Sequence, residues 1–235
     1  MDYTALRATL TDYYMHKVAG SVEDLRVKVY EKLDDFDRKN PGLNSYKLKA
    51  EQYRTIAETF EPYLFDHMPF YFETGAMEAF SDGQYTRGGR HPNGWIFDRN
   101  SHIVGERFPE KLKLFCQNHS DILYLTCGPF FDTEHTPIPM TKIFTVGLSG
   151  VYDEAKAALG RCTTEEERDF VEAAIAGLEA IKLIGEKFAA EAKRRLETET
   201  DPENIRCFRL IADTAARVPW NPPKTFYEGM ATLAF

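Results

Sequence analysis

The sequence predicts a mainly α-helical protein, and three observations carry that prediction. Phe170, Ala174, Leu178, Ile181, Ile184, Phe188, Ala192 and Leu196 step by three or four residues, which puts one apolar stripe along a helix of about 164–197. Both Thr163/Glu166 and Thr164/Glu167 fit a capping box at its start, in which hydroxyl and carboxylate satisfy each other's backbone donors. Asp201-Pro202 then offers an N-cap followed by a first-turn proline, opening a helix that carries Ile205, Phe208, Ile211, Ala215 and Val218.

The remaining elements follow the same logic. Residues 2–35 read as helical, with Leu6, Leu10, Tyr13 and Tyr14 at helical spacing. Gly20-Ser21 interrupts them, and Ser21 caps a second segment carrying Leu25, Val29, Leu33 and Phe36. Asn40-Pro41-Gly42 is a turn, and a helix begins after Ser45 with Leu48, Tyr53, Ile56 and Phe60 on its apolar side. Residues 62–108 hold many aromatics and several glycines with poor alternation, which predicts irregular chain with short strands. Pro109 can open a short helix through Leu112, Phe115 and Cys116. Ile122 to Leu125 is a strand candidate that Cys127-Gly128-Pro129 ends. Helix returns from Met140 to about Leu159, bent at Gly147 and Gly150. Val218-Pro219 ends the 202 helix, and a proline-rich turn leads to Thr225, where a last apolar helix begins. No fixed-period repeat or low-complexity tract interrupts the chain, so residues 1–235 are expected to form a single domain with a loop-rich stretch at 62–133.

Composition narrows the functional classes. With 235 residues, 43% of them hydrophobic, the chain can bury a substantial core. Its formal net charge of −8 argues against a general nucleic-acid surface, because phosphate binding needs a positive field. No stretch approaches the roughly 20 apolar residues of a membrane helix. The segment Met1 to Val18 is polar and amphipathic rather than a targeting signal, so a cytoplasmic protein is expected, with no membrane partner and its four cysteines reduced.

Few side chains suggest chemistry by themselves. Cys116-x-x-His119, with Cys127 and His135 beyond, has ligand-like spacing, but no second tight pair completes it. The favoured reading is two helix residues at i and i+3, and no metal site is expected. Arg87, Arg90 and His91 around Gly88-Gly89 could hold an anion through forked guanidinium donors, although an exposed loop is the favoured reading. The aromatic run Tyr63, Phe65, Phe70, Tyr71 and Phe72 suits core or docking surface. Cys207 lies on an apolar helix face and reads as core, Cys116 and Cys162 as structural, and Cys127 as the candidate for a reactive thiol.

The C-terminal region carries more. Ile211-Ala212-Asp213-Thr214-Ala215-Ala216-Arg217-Val218-Pro219-Trp220-Asn221-Pro222-Pro223-Lys224-Thr225-Phe226-Tyr227-Glu228-Gly229-Met230 resembles a signature of glycyl radical enzymes, the family of pyruvate formate-lyase and the radical dehydratases. In that family a helix ends in Val-Pro, a proline-containing turn follows, and a Thr-Phe-x-Glu-Ala helix comes next; here Gly229 stands in place of the usual Ala. Upstream, His135-Thr136 and Gly147-Leu148-Ser149-Gly150 are similar to the family's Gly-His segment and its later Gly-Leu helix. The resemblance covers about residues 134–235.

The resemblance implies a fold: the helical N-terminal layer of a glycyl radical enzyme, lacking most or all of the ten-stranded α/β barrel that follows it in the family. It implies a parent activity of radical bond cleavage, either formate C-acetyltransferase-like or diol dehydratase-like. That activity needs a radical-bearing glycine near the C-terminus, in an Arg-Val-x-Gly-aromatic context, and a mid-chain cysteine that forms a thiyl radical. The closest string, Leu148-Ser149-Gly150-Val151-Tyr152, lacks the arginine and has Val151 in the aromatic's place. No catalytic residue is therefore assigned, and the chain is expected to be inactive alone.

The same resemblance makes His135 a substrate-binding candidate, since the matching histidine in some radical dehydratases binds a substrate hydroxyl. Imidazole can donate from one nitrogen and accept at the other. Glu134 where the family often has Gly, and Pro139-Met140 where many relatives have Asp, depart from that pattern. No cofactor site is expected in this chain. An intact relative receives its glycyl radical from a radical S-adenosylmethionine activating enzyme with an iron–sulfur cluster. The partners expected are a complementary C-terminal fragment or a second copy, docking on a face centred on Phe226, Leu233 and Phe235. The alternative function is a non-catalytic helical scaffold or binding protein derived from the family.

Overall fold

A computed structural model describes residues 3–12, 32–33, 35–71, 80–81, 84–85 and 139–234. The described elements are α1 (Tyr3–Asp12), α2 (Ser45–Thr59), β1 (Phe80–Ser81), β2 (Gln84–Tyr85), α3 (Met140–Leu159), α4 (Glu165–Leu196), α5 (Pro202–Thr214) and α6 (Phe226–Ala234). Apart from the two-residue antiparallel ladder that pairs Phe80 with Tyr85, the described secondary structure is helical, as the periodicity predicts. The predicted helix at 109–116, the strand at 122–125 and the expected cap at Ser21 lie outside the described residues.

The 32-residue helix α4 is the spine, and α2, α3 and α5 all pack against it. Of the two capping boxes the sequence allows, Thr164/Glu167 forms. The Glu167 amide donates to Thr164 Oγ1 at 3.1 Å, and the Thr164 amide donates back to Glu167 Oε2 at 3.2 Å. Three glutamates in the first turn and Lys193, Arg194 and Arg195 in the last complement the helix dipole at both ends.

Helix α2 is clipped to α4 at each end. Asn44 caps it by accepting from the Lys47 amide, and donates to the buried Asp169 of α4 at 2.5 Å. Lys47 Nζ reaches the same carboxylate at 3.1 Å. Burial pushes the Asp169 carboxyl up, but these two hydrogen bonds outweigh it and hold the group below its ordinary pKa. At the other end Lys187 Nζ donates to the carbonyls of Glu58 and Phe60, at 2.6 and 2.9 Å, satisfying acceptors that a helix terminus leaves open.

The stripe predicted for α4 is correct only in its C-terminal half. Phe188 and Ala192 are fully buried, yet Phe170 is 56% exposed, Ala174 is exposed, Leu178 is half-buried and Ile181 is 36% exposed. The buried residues of the N-terminal half are instead Asp169, Ala173, Ile175, Ala176 and Ala180. The reason is close approach. Ala50 of α2 packs on Ala173 and Ala176, and the Tyr53 ring lies 3.3 Å from where a Cβ on Gly177 would stand. Small residues let the helices come together, and the large apolar ones are displaced to the sides. The loss of about 2–5 kcal/mol that a buried position would give for Leu178→Ala or Ile181→Ala therefore does not apply to Ile181.

Beyond α4, Asp201 caps α5 by accepting from the amides of Glu203 and Asn204, each at 2.9 Å. Regular helix stops at Thr214, earlier than the predicted end at Val218-Pro219, and the path continues as turns to Trp220. The Ala215 carbonyl lies 2.5 Å from where a Cβ on Gly185 would stand, so glycine is what lets this turn rest on α4. The main core forms here from Phe188 and Ala192 of α4, Phe208 and Ile211 of α5, Val218, and Phe60, Leu64 and Tyr71 of the irregular chain after α2.

Candidate functional site

The signature segments, 147–150 and 211–230, meet at one junction beside this core. Gly147 breaks α3 with φ 70° and ψ 176°, a conformation that side chains with a Cβ rarely adopt. Breaking the helix frees amide donors, and the proline turn supplies their acceptors. The Leu148 amide donates to the Pro219 carbonyl at 3.0 Å, and the Ser149 amide to the Trp220 carbonyl at 2.8 Å. The turn lies so close that a Cβ on Gly147 would stand 2.8 Å from the Asn221 carbonyl carbon and from the Pro222 nitrogen. Trp220 packs against the Tyr152 ring at 5.4 Å, with Lys182 Nζ 5.4 Å from its own ring centre.

The second half of the signature is also a capping device. Glu228 Oε2 accepts from the Thr225 amide at 3.1 Å and from the Lys224 amide at 2.5 Å, while the Glu228 amide donates to Thr225 Oγ1 at 3.2 Å. The other carboxylate oxygen, Oε1, pairs with Arg217. Thr225-x-x-Glu228 is thus a capping box that fixes where α6 begins, and Arg217 ties that start to the end of α5. Gly229 follows, in the helix interior, with nothing within 4 Å of where its Cβ would stand. Gly229→Ala is therefore expected to raise stability by about 0.4–1 kcal/mol, read as an increase in thermal midpoint.

The aromatic run after α2 braces the same junction. Tyr71 Oη donates to the Val218 carbonyl at 2.9 Å, Tyr227 Oη donates to the Pro69 carbonyl, and the Phe70 and Tyr227 rings stack at 5.3 Å. Nearby, the His67 amide donates to Asn204 Oδ1 at 2.7 Å and its Nε2 lies 3.3 Å from Asp201 Oδ1, which pins the loop to the start of α5. Burial pushes the Tyr71 phenol up, the Tyr227 phenol up to about 12, and the Cys207 thiol up. All three stay neutral near pH 7. They can donate a hydrogen bond or fill space, but they are not poised as bases or nucleophiles.

The expected site residues divide sharply. His135, Cys116, His119, Cys127, Arg87, Arg90 and His91 lie outside the described residues. Cys207 is buried in the core, as expected. Gly150 sits within α3, where a Cβ would meet the Val146 side chain at 2.6 Å. This helical setting, without the arginine or following aromatic, does not fit a radical-bearing glycine. Sequence reading missed the Arg217–Glu228 pair and the Tyr71–Val218 and Tyr227–Pro69 contacts. The capping box at Thr225 was visible as Thr-x-x-Glu, but only as part of a family word.

The family described as pyruvate formate lyase-like matches residues 124–235, the stretch that holds both halves of this junction. By that region, just under half of its length, the chain is similar to the glycyl radical enzyme family. Among curated relatives, it is 26% identical over 106 residues to the (2S)-3-sulfopropanediol dehydratase of Klebsiella oxytoca, covering 43% of this chain and 13% of the relative. It is 30% identical over 100 residues to the isethionate sulfite-lyase of Nitratidesulfovibrio vulgaris, covering 40% of this chain and 12% of that protein. The solved structure of a glycyl radical enzyme from Archaeoglobus fulgidus superposes on 93% of this chain with a TM-score of 0.59 and 14% identity. A Roseburia inulinivorans structure concerned with 1,2-propanediol dehydration superposes on 94% with a TM-score of 0.60, also at 14% identity. At that identity the superpositions speak to fold. The chain spans 33% and 31% of those two structures. The chain thus has the fold of about a third of the architecture it superposes on, and the matched stretch 124–235 contains the junction described above.

Proposed function

We propose that this chain is the N-terminal helical portion of a glycyl radical lyase or dehydratase and carries no radical chemistry by itself. The observation that supports this reading is the use made of the signature residues. Gly147, Pro219, Thr225, Glu228 and Arg217 hold two helix starts and a turn in register, and none of them is a reacting group. The sequence offers neither a radical-glycine context nor a thiyl-cysteine context, so the reacting groups would come from polypeptide outside these residues.

The relatives named above remove water or sulfite from small substrates, which favours dehydratase-like over acyltransferase-like chemistry for the whole enzyme. In that setting His135 is the residue proposed to meet a substrate hydroxyl, as a hydrogen-bonding rather than a proton-abstracting group. The proposed role of the described helices is to anchor the chain that follows that segment, since α3 begins at Met140, shortly after it.

The test is electron paramagnetic resonance on the purified chain after anaerobic incubation with a radical S-adenosylmethionine activating enzyme and reductant. No glycine-centred radical and no lyase turnover are expected. A radical localised to a glycine of this chain would overturn the reading. The same signature residues would also serve a non-catalytic scaffold descended from the family. The DNA downstream of the Phe235 codon separates the two, because a frame continuing to a central cysteine and a radical glycine favours the enzyme.

A further inference from the structure

We draw no further inference here: the strongest candidate, the buried Asp169 carboxylate with Asn44 and Lys47 at the contact between α2 and α4, belongs to the helix clip already described, and nothing among the described residues points to a ligand there.

Discussion

Gly147→Ala is expected to destabilise the protein by about 2–6 kcal/mol, the sum of a backbone conformation nearly reserved for glycine and a collision in a packed interior. Gly147 holds φ 70° and ψ 176°, and the space for a Cβ is taken by backbone atoms of Trp220, Asn221 and Pro222. Backbone cannot swing aside as the end of a flexible side chain can. The turn would have to retreat, and the hydrogen bonds from the Leu148 and Ser149 amides to Pro219 and Trp220 would lengthen or break. Urea denaturation with a fixed slope measures the loss as a lowered midpoint. Gly229→Ala is the matched control, the same chemical change in an open helical position, where the expected sign is opposite. Equal effects at the two glycines would show that the junction does not hold Gly147 as described.

The second large effect is at Phe188. Its ring is fully buried, 5.4 Å from the Phe60 ring and 5.5 Å from the Tyr71 ring, where α4 meets the chain that follows α2. Phe188→Ala removes a large apolar volume from a site lined by three elements and should cost about 3–5 kcal/mol. Ile181, seven residues earlier on the same predicted stripe, is 36% exposed, and its truncation to Ala should cost far less. Thermal or urea unfolding of both variants separates the observed core from the stripe read off the sequence. Comparable losses would restore the stripe and refute the packing of α2 on the small-residue face of α4.

That contrast locates where sequence reading is strong. Local signals were legible: the Thr164/Glu167 cap, the Asp201-Pro202 start of α5, and the extent of α3 and its bend at Gly147, though the bend expected at Gly150 does not form, all depend on neighbours within one or two turns. Cys207 was also legible as core, because its apolar setting is itself helical and local. The buried face of α4 was not legible in its first half. A helix of 32 residues presents several apolar lines, and the partner's shape selects among them. Alanine and glycine win over phenylalanine and isoleucine there because α2 approaches closely, and nothing in the α4 sequence announces that approach.

The junction shows the same division. The family words in 134–235 were readable as words, and the match to the pyruvate formate lyase-like family falls on them. What they do physically was not readable. Thr225 and Glu228 were legible as part of a family word and not as a cap, and the link from Glu228 to Arg217, 11 positions earlier, depends on how the proline turn folds back. The contacts of Tyr71 with Val218 and of Tyr227 with Pro69 join residues 147 and 158 positions apart. Such pairs leave no periodic trace, because each satisfies a single carbonyl rather than repeating along a face.

The sequence by itself determined the helical class, most helix starts and the family resemblance of residues 124–235, since caps, apolar periods and short ordered motifs are written in adjacent residues. Only the tertiary structure decided which face of α4 is core and why Gly147 must be glycine. Those outcomes turn on the distance between backbones remote in the chain. Distance of that kind is set by the packing of all the elements together, and close-packed interiors make it consequential to within a single methyl group.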